Sequence, residues 1–341
     1  MPKNKTWIYN LISLELKVIR GLFNSMPFVR KYFEGIATIF MLHRVHPFES
    51  NRLSANENMK VSPEFLEKFI LELKSKGYEF ISLDKLYEIL KYGKKVKKQI
   101  IFTLDDGYID NYTYAYPIFK KHNVPFTIYV TTSFPERKAI LWWYVLEDLI
   151  LENDILKLGN GNIYECKTKQ QKEDVFLRIR AIILKFRKEN FLKHLNELFK
   201  YYKIDWFAKN DELCLTWEHI IELSKDELCT IGGHTKNHYA LNCLSIEEVK
   251  EEIIEANTLI QEKTGKRVEH FAYPFGSRAE VGKREFDIVK GLGLKTATTT
   301  RRGTIYPEHK NFLECLPRIM LIENFDIKTI GNIRKHRIVT L

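Results

Sequence analysis

Short, uninterrupted apolar runs recur along the chain, each ending in a polar residue and each followed by an amphipathic segment. IATIFML at 36–42 ends at His43, QIIFTL at 99–104 ends at Asp105, and FTIYV at 126–130 ends at Thr131. Apolar runs of this length without alternation are the pattern of strands buried on both faces, which belong to parallel sheets covered by helices. The covering helices are readable too. Ser62-Pro63-Glu64 combines an N-cap serine with proline at the first helical position, and Phe65, Leu66, Phe69, Ile70 and Leu73 share one face before Gly77. Ser82 repeats the pattern with Leu83, Leu86, Ile89 and Leu90, and Ser245 to Glu248 forms a capping box that opens a helix to Lys263. Strand character returns at 229–231, 270–273 and 296–299. This alternation predicts a mostly parallel α/β fold, sheet or barrel.

At 341 residues the chain has room for two domains, or for one large domain with an insertion. The pattern favours the insertion. Between about 134 and 211 the strands give way to long helices, with Trp142-Trp143-Tyr144 followed by Phe176, Ile179, Ile183 and Leu184, then Phe191, Leu195, Leu198 and Phe199 at helical spacing. The expected organisation is a leader at 1–35, a core domain at 36–330 interrupted at about 134–211, and a basic tail at 331–341. Five cysteines without a CxxC pair argue against a disulfide framework and for a reducing compartment. No apolar run reaches the roughly 18–20 residues that span a bilayer.

The net charge of +10 is unevenly distributed. Residues 1–31 carry six basic side chains (Lys3, Lys5, Lys17, Arg20, Arg30, Lys31) against Glu15. Trp7, Leu11, Leu14, Val18, Leu22, Met26 and Val29 recur at helical steps, which predicts a basic amphipathic helix. Two uses stand open for it: packing on the domain, or lying on an anionic membrane surface. The expected location is cytoplasmic, with peripheral attachment to the inner face of the membrane under the second reading. A second basic run, Lys91 to Lys98, reads as a solvated loop. Nucleic acid is not an expected partner, since nothing interleaves aromatic with basic residues as a binding module does.

Three segments carry chemistry. Asp105-Asp106-Gly107 places adjacent carboxylates at a strand end, where ligands of parallel α/β proteins collect. A divalent cation would satisfy one carboxylate and leave its neighbour free as a base. Gly232-Gly233-His234-Thr235-Lys236-Asn237-His238 offers two histidines at i and i+4, expected on one face of a helical turn and within reach of one metal. One aspartate with two histidines leaves a coordination position for water, as catalytic sites require. Phe271-Ala272-Tyr273-Pro274-Phe275-Gly276 reads as a strand end and turn that can present a backbone N–H to an oxyanion.

Taken in order, TLDDG at 103–107, HTKNH at 234–238 and AYPFG at 272–276 resemble the motifs of the polysaccharide deacetylase family, also called the NodB-homology or carbohydrate esterase family four domain. The resemblance spans about 36–322. It implies a distorted (β/α) barrel with the helical insertion, and a metal-dependent N-deacetylase acting on N-acetylhexosamine units of a surface-glycan precursor or polysaccharide. It further implies Asp106, His234 and His238 as ligands of Zn²⁺ (or Co²⁺, Ni²⁺ or Mn²⁺), Asp105 as general base toward water on that metal, and the amide of Phe275 as oxyanion donor. Two positions depart from the family pattern. The arginine that opens the third motif is replaced by Ala272, and Arg318 from another strand is the candidate substitute. The family's late Leu-His is missing after Gly276, whereas Leu42-His43 ends the first strand. A circularly permuted order would make His43 the general acid; otherwise it is a structural strand-end histidine. A different class also stays open: a catalytically impaired glycan- or lipid-binding protein that retains the metal site. If residues 1–31 dock on membrane, deleting them abolishes co-sedimentation with vesicles containing anionic lipid, and retained binding rejects that use of the leader.

Overall fold

The computed structural model describes residues 35–186 and 190–330. Most of the leader and all of the basic tail therefore lie outside the described residues. Among the described residues, seven strands close into a parallel barrel in chain order. They are β1 (Ala37–Leu42), β2 (Gln99–Leu104), β3 (Phe126–Val130), β4 (Cys229–Gly233), β5 (His270–Ala272), β6 (Thr296–Arg302) and β7 (Leu316–Met320). Closure depends on β1, which pairs with β2 over six residues, Ala37 with Gln99 through Leu42 with Leu104, and with β7 through Phe40–Ile319 and Met41–Met320. The short strand Glu79–Phe80 runs beside the start of β2.

Helices fill the connections, and their starts follow the capping signals. They are α1 (Pro63–Ser75), α2 (Leu83–Tyr92), α3 (Tyr116–Lys121), α4 (Trp142–Glu152), α5 (Lys169–Ile183), α6 (Phe191–Leu198), α7 (Trp217–Lys225), α8 (Ile246–Thr264) and α9 (Lys283–Gly291). Ser62 Oγ accepts from Phe65 N, Ser82 Oγ from Lys85 N, and Ser245 and Glu248 cap each other reciprocally. Alternate side chains of the strands point to opposite faces. Phe40, Phe102 and Phe126 pack against Phe69 of α1 and Phe119 of α3, with Phe40 edge-on to Phe69 at 5.1 Å and Phe119 stacked on Phe126 at 4.7 Å. Ile39, Ile101, Tyr129, Ala272 and Leu316 form a second cluster with Leu83, Leu86 and Leu90 of α2.

The connection between β3 and β4 holds α4, α5, α6 and a hairpin of Ile155–Lys157 with Ile163–Glu165, around its own apolar cluster of Trp142, Leu146, Ile150, Phe176, Ile179 and Leu195. A buried carboxylate ties it to the barrel. Glu147 of α4 accepts from Leu53 N and Asn56 Nδ2 and pairs with Arg52, all on the connection that follows β1. No helix among the described residues is long and apolar enough to cross a membrane.

Gly232 shows how closely the barrel is packed under the site. A Cβ there would lie 2.5 Å from the ring of Tyr129 and 3.0 Å from His270 O. Gly232→Ala should therefore cost about 1–3 kcal/mol through overpacking. The change is read as a lower denaturation midpoint in urea, and an unchanged midpoint contradicts it.

Candidate functional site

The barrel register brings the candidate residues to one rim. Past the last β1–β2 pair, Asp105 N donates to Leu42 O at 2.9 Å, so His43 and Asp105 follow the ends of adjacent strands. Asp106 is next, and its carbonyl accepts from Thr131 N beyond β3. His234 follows β4, and its N–H donates to Val130 O. Phe275 stands in the turn after β5. Active sites of parallel barrels form at this C-terminal rim because the connecting loops converge there.

Asp106, His234 and His238 form a compact cluster, with ligand-capable atoms all within 4.8 Å of one another. Nε2 of each histidine lies 3.2 Å from Asp106 Oδ1, yet that buried oxygen makes no hydrogen bond. His234 Nδ1 lies 2.7 Å from Ala272 O, which fixes the ring by its outer nitrogen and leaves Nε2 facing the cluster. A buried carboxylate oxygen and two imidazole nitrogens converging without hydrogen bonds fit a divalent cation of the zinc type.

The histidines differ from the sequence expectation in one respect. They lie on a loop rather than a helical turn, with Thr235 at φ +65° and His238 at φ +57°. Thr235 Oγ1 accepts from His238 N at 3.1 Å. Glu252 of α8 anchors the loop through Asn237 N at 2.8 Å and Asn237 Nδ2 at 2.7 Å. Spacing alone suggested a helix, but here the i and i+4 rings meet, 5.0 Å apart, through two left-handed residues. Left-handed backbone concentrates at this rim, since Asp106 (φ +78°) and Phe275 (φ +59°) share it. Such conformations cost about 1 kcal/mol or more each outside glycine and persist where surrounding contacts impose them.

Arg318 enters from β7 and is completely buried. It grips Asp105 in a two-pronged contact, Nη1–Oδ1 at 2.6 Å and Nη2–Oδ2 at 2.7 Å. Its other hydrogen bonds go to Thr103 Oγ1 and Thr299 O, both at 3.0 Å. Burial pushes the Asp105 carboxyl up, but Arg318, with His234 and His43 nearby, holds it below its ordinary range. Burial acts the same way on Asp106, where His238 and His234 overcome it and hold the group well down. His43 is drawn below its ordinary value because burial outweighs the pull of Asp106 and Asp105. His309 is buried in a short 3₁₀ turn between β6 and β7 and does not line the cavity that these groups share.

A cavity of about 500 Å³ opens over the cluster, lined among others by His43, Asp105, Asp106, His234, His238 and Phe275. The Trp142-Trp143-Tyr144 segment borders it. Trp142 and Tyr144 are buried, while the partly exposed Trp143 lies 5.6 Å from the His238 ring and donates Nε1–H to Tyr108 OH at 3.1 Å. Two bordering residues were not legible in advance. Arg44 lies against the rings of Tyr108 and Tyr144, which meet edge to face, and is paired with buried Asp110 at 2.5 Å. Arg180 of α5 reaches the cavity across the Phe275 ring. Helical spacing shows which side of α5 is apolar but not which barrel loop that side meets.

A closed parallel barrel with a carboxylate–histidine cluster at its C-terminal rim defines the structural class. The chain belongs to the polysaccharide deacetylase family, whose model matches residues 92–297. That match includes β2 through β5 and leaves out β1, with His43, and β7, with Arg318. The chain is 26% identical over 187 residues to the poly-β-1,6-N-acetyl-D-glucosamine N-deacetylase of Staphylococcus aureus, spanning 52% of this chain and 63% of that protein. It is 32% identical over 79 residues to YxkH of Bacillus subtilis, spanning 23% of this chain and 28% of that one. Both alignments thus span less than two thirds of the relative. Among solved structures, the Streptococcus pyogenes deacetylase PplD in complex with acetate superposes with a TM-score of 0.58 at 21% identity, covering 84% of this chain and 93% of that one. IcaB from Ammonifex degensii superposes at 0.53 with 17% identity, over 84% and 92%. These two likenesses establish the fold.

The cluster predicts about one bound zinc ion per chain after reconstitution, measured by inductively coupled plasma mass spectrometry. Asp106→Ala or His234→Ala should reduce occupancy by at least about tenfold. Full occupancy in both variants would mean that the metal binds elsewhere.

Proposed function

We propose that this protein hydrolyses the acetamide of N-acetylhexosamine units in a surface glycan or its precursor. Water adds to the acetamide carbonyl, the C–N bond breaks, and the products are acetate and a free amino sugar. The observation that carries this reading is the meeting of four functions in one cavity: the Asp105–Arg318 pair, the Asp106–His234–His238 cluster, His43, and the Phe275 amide. Family membership and the named activity of the staphylococcal relative support it.

Asp106, His234 and His238 would hold a divalent cation, most simply Zn²⁺, which when bound supplies Lewis-acid polarisation of the carbonyl and a more acidic water. The remaining work falls to the chain's own groups. Asp105 accepts the proton from the attacking water, and Arg318 keeps its two oxygens fixed while it does so. The N–H of Phe275 has no acceptor among the described residues, so its left-handed turn leaves a donor free for the oxygen that becomes negative. His43 stands beside Asp105 at the adjacent strand end and delivers a proton to the departing nitrogen. Its lowered affinity for protons makes its protonated form a stronger acid.

Acetate release from N-acetylglucosamine oligosaccharides with added Zn²⁺ or Co²⁺ tests the reading. Asp105→Asn should lower kcat by about 10²–10⁴. His43→Ala should lower kcat within the same range while bound metal stays near the wild-type level, whereas equal loss of both sinks its assignment as acid. No acetate under any metal points instead to a glycan- or lipid-binding protein.

A further inference from the structure

The catalytic cavity contains two arginines, and their circumstances differ. Arg44 is neutralised by Asp110 and packs against two tyrosine rings. Arg180 has no carboxylate within 4.0 Å among the described residues, and its recorded contact is the ring of Phe275, 6.0 Å from its guanidinium carbon. Three other cations, in the neighbouring pocket beside Arg44, are paired. Arg52 meets Asp148 and Glu147, Lys60 meets Glu49 and Glu57, and Lys209 meets Asp148 and Glu212. The cavity carboxylate outside the catalytic pair, Glu280, is engaged by Ser277. An unpaired guanidinium in a partly desolvated cavity is a strong donor to phosphate or carboxylate, because its planar fork matches two oxygens at once.

The surroundings of Arg180 narrow the class of anion. Leu177 lies one turn before it on α5, so the two side chains share a face. Leu177 is 55% exposed although it lines the cavity. Phe176, Ala55, Met59, Met41 and Met320 add further apolar lining. A short neutral sugar chain leaves both the charge and the apolar lining unused. The distance from the chemistry is small, because Phe275, which Arg180 overhangs, packs edge-on against the ligand histidine His238 at 4.8 Å. An anion held there sits next to the sugar whose acetamide reaches the cluster.

We infer that the substrate is an N-acetylhexosamine joined through phosphate to an apolar chain, with Arg180 binding the phosphate and the Leu177 wall receiving the chain. This rests on the deacetylase reading of the cavity and specifies its substrate class. It makes Arg180 a specificity determinant supplied by the helical segment between β3 and β4 rather than by the barrel.

The test uses the full chain loaded with Zn²⁺ and four synthetic N-acetylglucosamine derivatives: the decyl phosphodiester, the methyl phosphodiester, the decyl glycoside and the methyl glycoside. The decyl phosphodiester should have the highest kcat/KM. The ratio of its kcat/KM to that of the decyl glycoside should fall at least about tenfold in Arg180→Gln, the scale of one charge-assisted contact. Leu177→Ser should instead reduce the advantage of decyl over methyl phosphodiester. A wild-type preference for the neutral glycosides, or an unchanged ratio in Arg180→Gln, overturns the inference. A phosphate preference without a decyl preference overturns the lipid part and points to a soluble phosphorylated sugar. Calorimetric titration with decyl phosphate separates failure here from failure of the deacetylase reading. Arg180-dependent binding without acetate release from any compound keeps the anion site and rejects deacetylation. Acetate release without Arg180-dependent binding does the reverse.

Discussion

The structure depends on one strand being claimed from both sides. β1 contributes one edge to β2 and the other to β7, so the barrel closes only when residues from the two ends of the domain lie together. Closure determines the chemistry as well as the shape. Pairing of β1 with β2 sets His43 next to Asp105, and closure against β7 brings Arg318 within reach of the same carboxylate. An open sheet with the same strands would keep the carboxylate–histidine cluster, whose members follow β2 and β4, and would keep His43 beside Asp105, but would lose the arginine that grips that carboxylate.

Around that frame, the rim is built from conformations that an isolated chain avoids. Asp106, Thr235, His238 and Phe275 all take left-handed backbone, and each is held by contacts outside its own segment. Thr131 binds the carbonyl of Asp106, Glu252 of α8 secures the loop between the histidines, and Thr300 Oγ1 donates to Phe275 O at 2.8 Å. Strain held by neighbouring elements preorganises a site, because the ligand does not have to impose the geometry itself.

Much of this was readable from the chain alone, for identifiable reasons. Continuous apolar runs at 36–42, 99–104 and 126–130 are strands because a parallel barrel buries both faces, and Ser62, Ser82 and Ser245 are caps because helix ends need acceptors for free N–H groups. Asp105, Asp106, His234 and His238 were legible because adjacent carboxylates and close-spaced histidines are costly without a shared partner. The loop conformation at 234–238 was not, since i and i+4 spacing is equally consistent with a helix and with two left-handed turns. Arg318 could be named but not placed, because its meeting with Asp105 depends on which strands become neighbours across closure. Arg180 carried no signal of its own, because an arginine near a helix end ordinarily reads as a partner for terminal carbonyls.

The sequential strand order has a kinetic side. Each strand from β1 to β7 meets its successor in the chain, whereas the final ladder joins residue 40 to residue 319. That ladder closes the largest loop in the domain and is entropically the hardest to form. Its formation is also what delivers the arginine to Asp105. A nascent or frayed barrel can thus gather the carboxylate–histidine cluster while Asp105 still lacks the arginine that fixes it, so an oriented Asp105 arrives with the last act of folding and departs with the first act of its undoing.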